Sequence, residues 1–182
     1  KASALAARTA ANYILQALYL PMLTGSNDSD GEPINDAMIS AAQKANEQVL
    51  RHVKDGGTTL TCVLIIGELA HIIHVGDSRA YLINDEGIEQ LTRDHSLVQR
   101  LVELDQVAPD DAATHSHAGI LYRAIGQNEN LEVDTLTRRL TPNTRLVLCS
   151  DGLWGEVTPQ EIHTLTTDTN NPQDACDKLV LL

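Results

Sequence analysis

The sequence has no phenylalanine, and aromatic residues make up only 3% of its 182 residues. A core must therefore be built from leucine, isoleucine, valine and alanine, and a hydrophobic content of 42% is enough to build one. The chain also lacks internal repeats and low-complexity tracts that would mark a linker. A length of this order suits one domain, so we predict a single domain over residues 1–182.

Basic residues are scarce as well. The sequence has 13 Lys and Arg residues but 25 Asp and Glu residues, which gives a formal net charge of −12 at pH 7. Nucleic acids and anionic membranes attract basic surfaces, so neither is an expected partner. We interpret the acidity mainly as a source of solubility, and the alternative is an attraction for cations or basic partners.

Cysteines and long apolar runs are also few. Cys62, Cys149 and Cys176 lie far apart and form no Cys-x-x-Cys pair, so the sequence predicts neither a disulfide framework nor a zinc knuckle. No apolar run approaches the ~20 residues that span a bilayer, and the first residues lack the pattern of a secretory signal. These absences predict a cytoplasmic domain.

Helical periodicity is present at both ends of the chain, and mainly strand periodicity lies between them. The pattern predicts helices over 2–20 and 35–53, the second capped by Asn35, with a polar loop over 21–33. Strands are predicted over 58–66, 69–75, 79–83 and 88–91, and the β-branched first strand is expected to be covered on both faces. A helix over 96–106, strands over 131–140 and 145–149, and helices that start at Thr158 and Asn171 complete the pattern. Consecutive hairpins, kept apart from the helices, indicate an α+β fold with antiparallel sheets.

Two strand ends carry an aspartate beside a glycine. Gly76-Asp77 follows an apolar strand, and Asp151-Gly152 follows another. Hard divalent cations such as Mg²⁺ prefer carboxylate oxygens, so two aspartates on neighbouring strand ends would suit a metal ion and its waters. The glycine beside each aspartate is expected to let the backbone approach a ligand closely, and Gly152 is also expected to let the backbone turn sharply. The alternative interpretation is that both aspartates only form turns.

Several histidines could be taken for metal-binding or catalytic residues, but simpler structural explanations are available. His115 and His117 alternate within the polar segment 114–119, and alternating histidines occur in metal sites. No cysteine or acid accompanies them, so we interpret this segment as a mobile surface loop. His74 lies within a predicted strand, where we expect a half-buried histidine with satisfied hydrogen bonds instead of a general acid.

Two further groups suggest catalysis only at first sight. The run Asp94-His95-Ser96 contains the residue types of a catalytic triad, but adjacent residues at a helix start do not face one another. We interpret the run as helix capping. Cys149 lacks an adjacent base and a phosphate-binding loop, so we place it in the core.

Four motifs together resemble a known family. In chain order they are Gly57-Thr58-Thr59, Val75-Gly76-Asp77-Ser78-Arg79-Ala80-Tyr81, Leu91-Thr92-Arg93-Asp94-His95-Ser96 and Cys149-Ser150-Asp151-Gly152-Leu153-Trp154. Their order and intervals resemble the metal-dependent protein serine/threonine phosphatases of type 2C, in their compact bacterial form. The resemblance covers nearly the whole chain.

The resemblance implies a fold and a chemistry. The fold is a four-layer α-β-β-α sandwich of two mostly antiparallel sheets flanked by helices. The cofactors are two or three Mn²⁺ or Mg²⁺ ions, and the substrate is a phosphoprotein with phosphoserine or phosphothreonine. Hydrolysis uses a metal-activated water without a phosphoenzyme, so no side chain acts as the nucleophile.

The resemblance also assigns residues. Asp151 is implied to be a carboxylate ligand of the metal centre, and Asp77 a ligand of a weaker third metal. Arg79 and Ser78 are implied to hold the turn that contains Asp77. Residues 92–124 are implied to include a flap beside the active site that affects the choice of substrate.

The departures from the family pattern concern the two ends. The family has an Asp-Gly-x-Gly-Gly metal loop before the first long helix and an Asp-Asn pair on a final strand, and this sequence contains neither. The resemblance therefore implies a phosphatase domain that is truncated at both ends, and we expect these 182 residues alone to be inactive. The alternative is a non-catalytic, phosphatase-like domain that regulates or binds partners.

Overall fold

The computed structural model describes residues 1–24, 33–112 and 115–182. Contacts divide the chain into two compact units, which we describe separately. The first unit comprises Lys1–Gly76 and Leu121–Arg139, and the second comprises Asp77–Ile120 and Leu140–Leu182. This division does not test the single domain predicted over 1–182, which stays a prediction.

Small residues hold together the helices of the first unit. Helix α1 (Ala2–Ile14) is continued by a π-helical turn (Leu15–Tyr19) and by α2 (Leu20–Thr24), and α3 spans Ile34–His52. Alanines spaced four apart lie on one stripe of a helix and let its backbone approach a neighbour closely. The buried residues that α1 and α3 contribute to their common cluster are Ala2, Ala6, Ala10, Ala41, Ala45 and Val49.

Two predictions about these helices are wrong. The helical segment that starts at Ala2 does not stop at residue 20 but continues to Thr24, because proline is tolerated in the first turn of a helix such as α2. The predicted loop over 21–33 thus begins too early, and its residues 25–32 lie outside the described part of the chain. Asn35 is not the N-cap of α3, which is Pro33. Its side chain instead contacts the sheet, with Oδ1 at 2.9 Å from His71 Nδ1 and Nδ2 donating to Thr137 Oγ1 at 3.4 Å.

The described strands of the first unit form an antiparallel sheet in the order β1-β2-β5. They are β1 (Leu60–Ile66), β2 (Leu69–Val75) and β5 (Asp134–Arg139). The central strand β2 is buried from its second residue onward. Strand β1 is an edge strand of this sheet and its Ile65 is 55% exposed, so the expectation that this strand is covered on both faces is wrong.

The second unit has an antiparallel sheet in the order β4-β3-β6. Its strands are β3 (Arg79–Asn84), β4 (Gly87–Gln90) and β6 (Arg145–Cys149). Its helices are α4 (Leu97–Glu103), a 3₁₀ turn (Pro109–Asp111), α5 (Asp151–Trp154), α6 (Pro159–Thr167) and α7 (Pro172–Val180). The core contains Tyr81, Ile83, Val157, Ile162 and Leu179.

The helix starts of the second unit follow the sequence signals. Thr158 and Glu161 form the predicted capping box, and the Asn171 side chain caps α7. Two antiparallel sheets with accompanying helices confirm the α+β class. Within the described ranges, no helix combines the length and apolar character that crossing a membrane requires.

Candidate metal site

The pairing of β3 with β6 brings two aspartates to the same end of one sheet. Arg79 pairs with Cys149 in this antiparallel ladder. Asp77 lies two residues before Arg79, and Asp151 lies two residues after Cys149, so both aspartates lie just beyond the same end of this ladder. The strand that Asp77 follows, β2, belongs to the other sheet, so the two aspartates do not lie on neighbouring strand ends as predicted. They come together because Asp77 precedes β3, which pairs with β6.

Asp77 is 7% exposed, and its carboxyl group is electrostatically unfavourable as an anion. Burial raises the pKa of Asp77, and the negative charges of Asp151 and Asp94 raise it further. A backbone hydrogen bond and the positive charge of Arg79 offset part of this increase. Because like charges close together penalise ionisation, a cation bound between Asp77 and Asp151 would relieve a repulsion already present in the fold.

Asp151 is the exposed first residue of helix α5. Its Oδ1 accepts a hydrogen bond from the backbone N–H of Gly152 at 2.9 Å. The chain passes here from β6 directly into α5, but Gly152 has no positive φ, so this change of direction does not require a glycine. The direction of Asp151 is set instead by the start of a short helix directly after β6. At the other corner, Gly76 does adopt a positive φ of 113°.

A polar network lies directly beside the two aspartates. Arg79 donates three hydrogen bonds to the buried Asp94, two from Nε at 3.1 Å and one from Nη2 at 2.7 Å. The Arg79 guanidinium carbon also lies 3.8 Å from the centroid of the Trp154 ring. The indole Nε1 of Trp154 donates to the backbone carbonyl oxygen of Asp77 at 2.9 Å. The network thus connects Asp94 to the backbone of Asp77 through two side chains.

Sequence reasoning did not find this network. Asp94 was assigned to helix capping, but it is the partner of Arg79, and Ser96 is the residue that caps α4 by accepting from the backbone N–H of Gln99. Asp94 is only 3% exposed, and a buried carboxylate needs a cationic or hydrogen-bonding partner. Nothing in the sequence identifies that partner, because fifteen positions separate Asp94 from Arg79.

The residues present fit part of a site for a hard divalent cation. Asp77 and Asp151 offer carboxylate oxygens, which Mg²⁺ and Mn²⁺ prefer, and the pKa of Asp77 is raised by burial first and by the charges of Asp151 and Asp94 second. Across residues 1–24, 33–112 and 115–182, no group of three or more His, Cys, Asp or Glu side chains is arranged to hold a metal ion. The pair therefore accounts for part of a coordination shell, and further ligands would come from water or other chain segments.

A cleft of about 370 Å³ lies against the network within the second unit. Trp154 forms part of its wall, so the cleft and the hydrogen bond to Asp77 share one side chain. The other lining residues are Arg79, Asp94, Val98, Gln99, Pro109, Ala112, Ala118, Gly155, Glu156, Val157, Thr158 and Pro159. Several of them belong to the segment 92–124, and the role of this segment as a flap stays a prediction.

The two ring nitrogens of His74 lie 2.9 Å from Thr61 Oγ1 and 2.9 Å from the carbonyl oxygen of Gly76, so the prediction of satisfied hydrogen bonds is confirmed. His74 is only 2% exposed, so it is fully buried and not half-buried as predicted. The ring centroids of His115 and His117 lie 5.1 Å apart with the ring planes tilted by 60°, in a turn where both residues are half-buried, although Thr114 lies outside the described residues. His115 Nδ1 accepts from the backbone N–H of His117 at 3.2 Å, whereas the buried Nδ1 of His117 has no hydrogen-bond partner within the described residues. The interpretation of this segment as a mobile surface loop stays a prediction.

The reactivity of two cysteines in the second unit tests whether Cys149 lies in the core. Burial raises the pKa of Cys149 to about 11, so at pH 7 only about one molecule in 10⁴ carries the reactive thiolate there. Cys176 is exposed on α7. We expect iodoacetamide to label Cys176 in the folded protein, and Cys149 only after unfolding. Peptide mapping by mass spectrometry measures both rates, and equal labelling in the folded protein would contradict the assignment of Cys149 to the core.

Comparison with known sequences identifies a matching family model and similar proteins. The family model described as protein phosphatase 2C matches residues 9–104, which is more than half of the chain. The serine/threonine phosphatase stp of Listeria welshimeri is 31% identical over 155 residues. That match covers 82% of this chain and 62% of the Listeria protein, so the chain spans less than two thirds of this relative's length.

Solved structures show the same similarity. The serine/threonine phosphatase MsPP from Mycobacterium smegmatis, in complex with cacodylate, superposes with a TM-score of 0.79 and 29% identity, covering 98% of this chain and 73% of that one. The catalytic domain of the phosphatase PstP, in complex with two manganese ions, gives a TM-score of 0.74 and 26% identity, covering 96% of this chain and 73% of that one. At these identities and TM-scores, the fold of the chain is similar to that of both proteins.

Proposed function

Because the chain belongs to the protein phosphatase 2C family, we propose that it forms part of a metal-dependent protein serine/threonine phosphatase. The observation that carries this proposal is the pair of aspartates at one end of the β3–β6 ladder, with the raised pKa of Asp77 beside Asp151. The phosphatase names of the relatives, and the manganese ions of one related structure, support the same activity.

The proposed mechanism assigns Asp151 to the metal centre and Asp77 to a further, weaker metal position. When bound, Mn²⁺ or Mg²⁺ would supply an activated water and positive charge for the phosphoryl oxygens. Asp151 is exposed at the start of a helix, where its carboxylate is accessible to a cation. The Trp154 N–H holds the backbone of Asp77, and the raised pKa of Cys149 keeps that thiol protonated, so Cys149 has no part in the proposed reaction.

The proposed substrates are proteins phosphorylated on serine or threonine. The cleft beside Trp154 is adjacent to the network that holds Asp77, and it offers a place for the polypeptide around a phosphorylated residue. The net charge of −12 gives no support to nucleic-acid or membrane partners. The three cysteines are free in the fold, as expected in a reducing compartment, and we propose a cytoplasmic location.

Hydrolysis of a phosphopeptide tests this function through removal of the metal. The intact polypeptide that carries these residues should release phosphate from a phosphothreonine peptide in Mn²⁺, and lose this activity when EDTA is added. Restoration by excess Mn²⁺ is the control for irreversible damage by the chelator. Activity that persists after thorough chelation would rule out the metal-dependent mechanism.

A second candidate is a phosphatase-like domain that binds partners without catalysis. It is favoured by one observation, which is that no three-residue metal-ligating group is present in the described residues. The two candidates differ in the phosphopeptide experiment. The non-catalytic domain would bind Mn²⁺ weakly and release no phosphate at any Mn²⁺ concentration, whereas the phosphatase would release phosphate in proportion to its bound metal.

A further inference from the structure

Trp154, the only tryptophan of the chain, makes two directional contacts beside the candidate metal site. Its indole N–H donates to the Asp77 carbonyl oxygen at 2.9 Å, and the Arg79 guanidinium lies over its ring at 3.8 Å. The edge and the face of the ring are thus both engaged. A ring held on two sides has little freedom to move away from Asp77.

Arg79 is itself held in a fixed orientation. Three hydrogen bonds join it to Asp94, and its Nη1 donates to the hydroxyl oxygen of Tyr81 at 3.1 Å. Asp94 is 3% exposed and Tyr81 is 1% exposed, so both partners of the guanidinium belong to the interior. A planar guanidinium bound in this way defines the plane on which the indole stacks.

The backbone at Asp77 needs such support. Gly76 precedes it with a φ of 113°, a conformation open mainly to glycine, and the strand that follows begins only at Arg79. Within the second unit, the Trp154 hydrogen bond restrains the Asp77 backbone at this point.

We propose that Trp154 and Arg79 are positioning residues, which hold Asp77 at the distance from Asp151 that metal binding requires. This inference rests on the proposed function, because it concerns the same two aspartates. Neither side chain is proposed to contact the reacting atoms. Their effect on the metal would pass through the Asp77 carbonyl oxygen, to which the indole N–H donates.

The test uses Trp154→Phe in the intact polypeptide, since phenylalanine keeps a ring under Arg79 but has no N–H. We expect the Mn²⁺ concentration at half-saturation to rise about 5-fold, the size of effect that one lost hydrogen bond produces. Excess Mn²⁺ should restore part of the lost phosphopeptide kcat, because it compensates for weaker metal binding. Electron paramagnetic resonance of free Mn²⁺ measures binding independently of activity.

Two further variants separate positioning from a general loss of folding. Arg79→Lys keeps the charge but not the forked hydrogen bonds, and should weaken Mn²⁺ binding to a similar degree. The double variant should be no worse than about either single one, because both act through one chain of contacts. Tyr81→Phe removes a hydroxyl from the same guanidinium without contacting Asp77, so its effect should remain below about 2-fold.

The outcomes for the two proposals are distinct. Wild-type Mn²⁺ affinity in both Trp154→Phe and Arg79→Lys would overturn the positioning role, even if the wild-type protein is an active phosphatase. Strictly additive effects in the double variant would overturn the coupling of the two residues. Weaker Mn²⁺ binding in both variants of a protein that releases no phosphate would support the positioning role and overturn the phosphatase.

Discussion

Replacing Asp151 with asparagine is expected to lower the Mn²⁺-dependent phosphatase activity of the intact polypeptide by at least about 100-fold. Loss of a residue that only supports a metal ligand typically costs 10–100-fold, so loss of a charged ligand itself should cost no less. Asparagine keeps the shape of the side chain and an oxygen that can still accept from the Gly152 N–H. The measurement is phosphate release from a phosphothreonine peptide over a range of Mn²⁺ concentrations.

The same variant should not destabilise the fold. The pKa of Asp77 is raised in the folded chain by burial first and by the charge of Asp151 second, so the ionised form of Asp77 opposes folding at pH values above that pKa. Removing the Asp151 charge should therefore raise the unfolding midpoint of the metal-free protein at neutral pH. The gain should disappear on acidification, once Asp77 is protonated in both proteins. Loss of activity together with a lowered midpoint would indicate a folding defect instead.

A control variant separates the position of the charge from its loss. Asp85→Asn changes the net charge by the same amount, in the exposed turn between β3 and β4 at the other end of β3. We expect its phosphatase activity to remain close to that of the wild-type protein. Full activity in Asp151→Asn would remove the central assignment, and equal losses in both variants would show that net charge, rather than metal ligation, governs the rate.

Local signals in the sequence predicted much of the secondary structure. The capping box at Thr158 and Glu161 depends on residues three apart, so its interactions can be derived from the sequence alone. The strand from Leu69 to Val75 was also predicted at its observed bounds, because apolar residues and flanking turns define it. Asn35 failed as a predicted cap since its side chain bonds to the sheet, and no local pattern reveals contacts 36 and 102 positions away.

The candidate site likewise contains residues that local sequence patterns predict and contacts that they do not predict. Each aspartate was predicted from the apolar strand that precedes it, but the two come together because Asp77 also precedes β3, which pairs with β6. The bond between Arg79 and Asp94, and the bond from Trp154 to the Asp77 carbonyl oxygen, depend on tertiary packing that no spacing expresses. The glycine beside each aspartate was given the same role, but only Gly76 has the positive φ that requires glycine.

Gly76 is a position where one added methyl group should have a large effect on stability. A Cβ atom there would lie 2.4 Å from Cγ2 and 2.7 Å from Cβ of Thr59, far inside van der Waals contact. The φ of 113° is also unfavourable for an L-residue with a side chain. In addition, the Gly76 carbonyl oxygen lies 2.9 Å from Nε2 of the buried His74, so a shift of this backbone would disturb an interior hydrogen bond.

Gly76→Ala is therefore expected to lower the free energy of unfolding by about 3 kcal/mol or more, since backbone strain and overpacking each cost about 1–3 kcal/mol. Gly67→Ala is the matched control, because Gly67 also has a positive φ, of 59°, but no atom lies within 4 Å of its added Cβ. That variant should lose only about 1 kcal/mol, the cost of the left-handed conformation alone. Urea unfolding of both variants gives the two values from the midpoints and slopes. If the two losses are equal, the contact with Thr59 contributes nothing and the conformation of Gly76 alone explains its presence beside Asp77.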